Sequence, residues 1–231
     1  MKYFSGMHCA ANYIREDISI RLTEIFVKYR DYSLIICGYS LGAGIGAILS
    51  LMFKSRYPDL KCYGIAMPGS VLSEDLSVAS RDFIYSFVVD VDMICRASRN
   101  SLENLRDRLV DVLNKCDHCK LNVLTRTLIK RRQVFHTIDE QTNLIKSIKR
   151  DRLVLPGTII HLYSTDRVRM FTGKRSYHAR ISSFDQFREL IVHPRMWFDH
   201  FPASYNDAFT HLLEESLLNN SSSLLSKSSV V

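Results

Sequence analysis

Leu34-Ile-Ile-Cys-Gly-Tyr-Ser-Leu-Gly-Ala-Gly-Ile-Gly-Ala-Ile-Leu-Ser-Leu-Met-Phe53 decides how this chain of 231 residues is read. At its centre Gly38-Tyr39-Ser40-Leu41-Gly42 has the spacing G-x-S-x-G, the sharp strand-to-helix turn that presents a nucleophilic serine. Ser33 to Cys37 read as a short buried core strand and Ala43 to Phe53 as a buried helix. The turn between them must be tight, which strains the serine and exposes its hydroxyl. Glycines two residues before and after Ser40 are read as removing Cβ atoms that would collide there. Gly44, Gly46 and Ala47 would then let the helix lie close to the sheet. The helix N-terminus brings partial positive charge, and the Leu41 N–H, beside a developing oxyanion.

A second reading competes, because Leu34 to Phe53 is uncharged and long enough, at about 20 residues, to cross a bilayer. It also has small residues at Gly38/Gly42 and Gly42/Gly46, the spacing of packed membrane helices. Six small or hydroxylated residues crowd into Gly38–Gly46, however, where a span needs hydrophobicity most. The elbow is the stronger reading, and no transmembrane segment is predicted.

Around this stretch the composition is that of a globular domain, with 46% hydrophobic and 24% charged residues. Met1 to Gly6 lacks the apolar run of a secretory signal. The six cysteines are scattered and read as reduced thiols. Cys116 and Cys119 flank His118, but a zinc site needs four ligands and no second pair follows, so they read as loop cysteines and no metal site is assigned. The net charge of +7 is local: Arg96 to Arg152 holds 14 Lys/Arg against 7 Asp/Glu and so accounts for all of it. Such a segment suits an anionic membrane surface. Without an aromatic-rich RNA motif or a basic recognition helix, nucleic acid is not a predicted partner.

Met7 to Tyr29 carries a helical stripe of Ile14, Ile18, Leu22 and Phe26, joined by Ala10, Ala11 and Ile20. After the elbow helix, Lys61–Ala66 reads as a strand, Ser73–Ser80 as a short helix and Phe83–Val91 as a third strand. Alternating strands and helices with continuous apolar runs predict a mostly parallel α/β sheet. Residues 97–152 interrupt it as a basic insertion that opens with an amphipathic helix, Ser101–Leu113. The core resumes at Gly157–Tyr163 and Tyr177–Ile181, followed by a helix or turn over Phe184–Ile191, a loop over His193–Pro202 and a last helix over Tyr205–Leu218. One domain over residues 1–218 and a disordered Ser-rich tail over 219–231 are predicted.

A serine needs a base, and the base needs an orienting acid; on an α/β-hydrolase fold they follow in the order Ser, acid, His. Asp90 and Asp92 lie at the end of the third predicted strand, Asp92 the better placed. Among eight histidines, His193 and His200 fall in the loop before the last helix, and position favours His200.

Gly38-Tyr-Ser-Leu-Gly-Ala-Gly44 resembles the elbow of the class 3, fungal-type lipases. Tyr57–Tyr63, Pro68-Gly69 and Leu72-Ser-Glu-Asp75 are closer to one branch of that family, the sn-1-specific diacylglycerol lipases. Val91-Asp-Met-Ile-Cys-Arg96 is similar to the segment bearing the family's catalytic aspartate, and Pro194–Pro202 to the one bearing its histidine. The resemblance therefore implies an α/β-hydrolase fold with Ser40, Asp92 and His200 as triad and diacylglycerol or another glycerolipid as substrate. It also implies association with the cytoplasmic face of the plasma membrane. It admits calcium, which the chemistry itself does not require. Cys95 stands where the family usually has proline. Family members have further strands before the elbow, including a loop with a second oxyanion N–H. An N-terminally truncated domain is thus expected, with a catalytically incomplete, lipid- or partner-binding protein as the alternative to an enzyme.

Overall fold

A computed structural model describes residues 3–114, 153–164 and 175–228. Helix α1 (Ser5–Lys28) leads into β1 (Ile35–Tyr39), α2 (Leu41–Phe53), β2 (Lys61–Ile65), α3 (Glu74–Ala79) and β3 (Ile84–Val89). Beyond the basic segment follow β4 (Thr158–Ser164), β5 (Tyr177–Ser182) and a last helix, here called α5 (Pro202–Ser228). The strands form one sheet in the order β1-β2-β3-β4-β5, parallel from β1 to β4 and antiparallel between β4 and β5. This is the mostly parallel α/β-hydrolase sheet read from the sequence.

Strand alternation divides the sheet between two cores. Cys62, Ile84, Val88 and Ile159 face one side, with Met7 and Ala11 of α1 and Ala43, Ala47 and Ile48 of α2. Phe87, Val89, Ile160 and Leu162 face the other, with Tyr205 and Ala208 of α5. Each fully buried aliphatic side chain contributes about 1.5–3 kcal/mol by leaving water. Covering both faces is what turns β2, β3 and β4 into near-continuous apolar runs. The stripe Ile14, Ile18, Leu22 and Phe26 packs on the first core as predicted. Ile20 faces away from it and is exposed.

The 20-residue apolar run is split at Ser40 into a strand and a helix. Among the described residues no helix is long and apolar enough to cross a membrane. Cys37, predicted to sit in a core strand, is exposed. The reason is position: Ile36 of β1 packs on the first core, while Ile35 and Cys37 point to the opposite face, which is left open on this end strand among the described residues. The backbone of residues 219–228, read from the sequence as part of a disordered tail, continues α5. Pro202 opens that helix, where its missing N–H costs nothing and its fixed φ suits the first turn.

The segment that begins at Arg99 is a unit apart from the sheet. Its described part is helix α4 (Arg99–Asn114), stabilised locally by an Arg99–Glu103 ion pair at 2.8 Å and exposing Leu102, Leu109 and Val110. Cys116, His118, Cys119 and His136 lie outside the described residues.

His161 of β4 is buried in the sheet. Its Nε2–H donates to the Asp90 carbonyl at 3.0 Å, while Arg180 approaches Nδ1 at 3.3 Å. Burial, with Arg180 and Arg96 nearby, pushes its pKa down from 6.5 to about 4. The folded state thus holds His161 neutral where the unfolded chain would protonate it. Its contribution is unaffected above about pH 6.5 and becomes increasingly destabilising as pH falls toward about 4, by roughly 3 kcal/mol at the limit. His161→Gln should flatten the fall in urea midpoint between pH 7 and pH 4; parallel pH profiles for the two proteins would remove this role.

Candidate active site

Ser40 sits between β1 and α2 with φ 51° and ψ −121°, a backbone region few non-glycine residues enter. Its N–H donates to the Ile65 carbonyl at 2.8 Å, and its carbonyl accepts the Ala43 N–H at 3.0 Å. The reversal is therefore pinned at both ends. Ahead of Ala43, whose N–H is bonded to Ser40, the N–H groups of Leu41 and Gly42 have no preceding helical turn to supply acceptors. They and the helix dipole lie where an oxyanion beside Ser40 would be stabilised.

The flanking glycines differ. A Cβ on Gly38 would lie 2.5 Å from the Gly42 carbonyl oxygen and 2.7 Å from the Ala43 Cα, both backbone atoms that cannot swing away. A Cβ on Gly42 would meet nothing within 4 Å among the described residues. The sequence reading, that both glycines relieve a collision, holds for Gly38 alone, because the chain folds back over Gly38 and leaves Gly42 on the outer side of α2. Gly46 does let α2 approach the sheet, with Ile36 of β1 at 3.1 Å from its would-be Cβ; at Gly44 the close neighbour is Met7 of α1 at 2.6 Å.

Of the candidate acids and bases, Asp92 and His200 come to Ser40. Ser40 Oγ is 3.1 Å from His200 Nε2, and His200 Nδ1 is 3.0 and 3.1 Å from the two carboxylate oxygens of Asp92. An ionised carboxylate can only accept, so Nδ1 carries the hydrogen and Nε2 presents its lone pair to the serine hydroxyl. Asp92 is fully buried, and its carboxylate also accepts the Ile94 N–H at 2.8 Å and the Tyr205 hydroxyl at 2.7 Å. Burial pushes the Tyr205 phenol well above its usual range, so it remains a donor. His193, the other candidate base, is exposed in the same loop and accepts the Arg195 N–H.

Asp90 lies just past β3, at φ 38°, and faces away from the serine into a buried ionic cluster. It accepts the Ser164 N–H at 2.7 Å and Arg175 at 2.8 Å; Arg175 also donates to Asp199 at 3.1 Å. Asp199, fully buried, accepts Arg195 at 3.2 Å and the Val91 N–H at 3.4 Å. Burial raises the pKa of both carboxylates, while Arg175 and the backbone N–H groups pull it down. The His200 loop is also tied by Met93 N–H to the Met196 carbonyl at 3.2 Å and by the Tyr39 hydroxyl to the His200 carbonyl. Sequence reading missed Tyr205, Arg175 and Asp199. Only Asp199, a carboxylate in an aromatic-rich loop next to the histidine, carried a local hint.

Among the described residues no group of three or more His, Cys, Asp or Glu is placed to hold a metal ion, so they do not assemble a carboxylate site for calcium.

Residues 1–102, which include Ser40 and Asp92, match the family described as "Lipase (class 3)". Diacylglycerol lipase-alpha of Homo sapiens is 29% identical over 237 residues, covering 90% of this chain and 22% of its own length. Diacylglycerol lipase-beta of Mus musculus is 27% identical over 234 residues, covering 85% and 35%. The chain thus spans a minor part of these curated relatives. A solved lipase from Rhizopus microsporus var. chinensis superposes on 44% of this chain and 38% of its own at 19% identity, with a TM-score of 0.39.

The two glycines should separate on substitution. Gly38→Ala should lose about 1–3 kcal/mol or fail to fold, because backbone must move to admit the Cβ. Gly42→Ala should keep full stability and gain up to about 1 kcal/mol of helix propensity. Urea unfolding of both variants checks this; equal losses would contradict the asymmetry.

Proposed function

We propose that this relative of the class 3 lipases is a serine lipase that cleaves the sn-1 ester of diacylglycerol, releasing a fatty acid and 2-monoacylglycerol. The observation that carries the reading is the hydrogen-bonded line from Ser40 through His200 to buried Asp92, set on a strained strand-to-helix turn. A serine hydroxyl is a poor nucleophile until a base accepts its proton, and this line supplies one.

In the first half-reaction Ser40 Oγ attacks the ester carbonyl as Nε2 of His200 takes its proton. The imidazolium is stabilised by Asp92, which keeps its charge throughout. Negative charge on the former carbonyl oxygen is met by the Leu41 N–H and the N-terminal end of α2. His200 then protonates the departing glycerol oxygen as the carbon–oxygen bond breaks, leaving an acyl ester on Ser40. Water attacks that ester with His200 again as base, and the fatty acid leaves as Ser40 recovers its proton. Diacylglycerol as substrate is supported by the likeness to proteins named diacylglycerol lipases, and the sn-1 position by the resemblance of Tyr57–Tyr63 and Leu72–Asp75 to the sn-1-specific branch.

The surroundings of the site favour a lipid. Leu41 is 58% exposed beside Ser40, and Trp197 and Phe201 beside His200 are 55% and 52% exposed. A rim of this kind suits an acyl chain or the apolar edge of a membrane. The basic segment supplies the complementary attraction to anionic headgroups.

Labelling the purified chain with a fluorophosphonate serine-hydrolase probe tests the nucleophile. Wild type should label and Ser40→Ala should not. Turnover of a diacylglycerol should fall by about 10⁶-fold in Ser40→Ala and about 10⁴-fold in Asp92→Asn. A folded sample that never labels would instead favour a protein that binds lipid or a partner without turning it over.

Membrane association has its own readout, because Trp197 is the single tryptophan. Its emission should shift to the blue on vesicles containing anionic lipid, and the affinity should fall as salt is raised through the physiological range. Affinity unchanged by salt would remove the basic segment from the interaction.

A further inference from the structure

We infer that Arg175 is a positioning residue, a buried cationic bridge that holds the loop carrying His200 in register with the loop carrying Asp92. Its importance for turnover rests on the triad reading above; the bridge itself does not.

The guanidinium spans two loops whose carboxylates, Asp90 and Asp199, are far apart along the chain. Nη1 donates to Asp90 at 2.8 Å and Nη2 to Asp199 at 3.1 Å. Asp90 is two residues before Asp92, and Asp199 is the neighbour of His200. The remaining carboxylate oxygens are also engaged. Asp90 Oδ1 accepts the Ser164 N–H from the end of β4, and Asp199 Oδ2 accepts the Val91 N–H from the acid loop itself. Asp199 therefore touches the acid loop twice, once directly through Val91 and once through Arg175. The Arg175 side chain is 11% exposed and lies over the Tyr177 ring, its central carbon 5.6 Å from the centroid. Packing thus fixes the fork from below while its two arms are fixed by carboxylates.

This arrangement costs more to break than a surface pair. Without Arg175, fully buried Asp199 and partly buried Asp90 would face each other across the junction, with Arg195 still paired to Asp199. The relief available to them is to move apart, and that motion separates the loops. A serine–histidine–aspartate line tolerates little such motion, since displacements near 1 Å are worth about 10²-fold in rate. Lysine would keep the charge yet lack the planar fork that reaches two acceptors at once.

Arg175→Gln and Arg175→Lys, prepared in the full chain, test the bridge by two readouts. The first is the rate of fluorophosphonate labelling at Ser40, corrected for the folded fraction and measured well below the unfolding transition. The second is the downfield proton resonance of the His200 Nδ1–H bonded to Asp92, followed with ¹⁵N-labelled histidine. Arg175→Gln should label about 10- to 100-fold more slowly than wild type and lose or broaden the resonance, with Arg175→Lys in between. Should the glutamine variant not fold, the lysine variant carries the test by the same readouts. A variant that melts earlier yet labels at the wild-type rate with an unchanged resonance would overturn the inference, leaving Arg175 a stabilising residue only. If wild type itself does not label, the enzyme reading fails and the resonance decides alone: its selective loss in the variants supports the bridge. Its persistence in them, or its absence from wild type, overturns it.

Discussion

The reversal of the chain at Gly38–Gly42 is the constraint from which the rest of the site follows. A parallel strand ends at Tyr39 and a helix begins at Leu41, leaving a single residue to turn the backbone. That residue, Ser40, is held at positive φ, a conformation worth roughly 1–3 kcal/mol of strain that only surrounding structure can sustain. The support is visible on both sides: Ile65 takes the serine N–H, and the core beneath α2 holds Ala43, Ala47 and Ile48 without exposure to solvent. In return the hydroxyl stands clear of the sheet at the carboxyl ends of the strands, where an open α/β sheet leaves room for a ligand.

The second requirement is electrostatic. Asp92 is a charge without access to water, and such a group persists only if its oxygens are satisfied. Three donors converge on it, the Ile94 N–H, the Tyr205 hydroxyl and the His200 ring, and the Tyr205 hydroxyl in turn accepts the Val89 N–H. The helix that follows the histidine loop thereby reaches back to the acid, so Tyr205 closes a ring from β3 through Asp92 to α5. The ionic cluster of Asp90, Arg175, Asp199 and Arg195 closes a second ring around the same two loops. Position and charge are in this way supplied by different residues from those that would do the chemistry.

Much of this was legible in the one-dimensional pattern. The strands β2 to β4 announce themselves as apolar runs because both of their faces are covered, and α2 does so because its small residues sit where backbone comes close. Ser40 is readable because the turn it occupies demands glycine at position 38, a steric demand that acts within five residues. Asp92 and His200 could be ranked ahead of Asp90 and His193 from chain order and loop position, though order left both pairs open. Two local readings failed for a common reason. The exposure of Cys37 and the open space at Gly42 depend on what lies beside those residues in space, and an apolar or small residue looks the same in sequence whichever neighbour it has.

What the sequence by itself determined, then, is whatever rests on short-range geometry: the period of the strands and helices, the tight turn around Ser40 and the single concentrated basic segment. The tertiary structure brought the favoured carboxylate to the histidine, and it alone decided what holds the two together. Asp90 and Asp92 are two residues apart at the end of one strand, yet one enters an ionic cluster and the other faces the imidazole. The sheet places β3 beside β4 and brings Arg175 and Tyr205, each more than 80 residues downstream, onto opposite sides of that pair. Hydrogen bonds and ion pairs act over a few ångströms in space and leave no periodic trace along the chain, so only the folded arrangement could assign them.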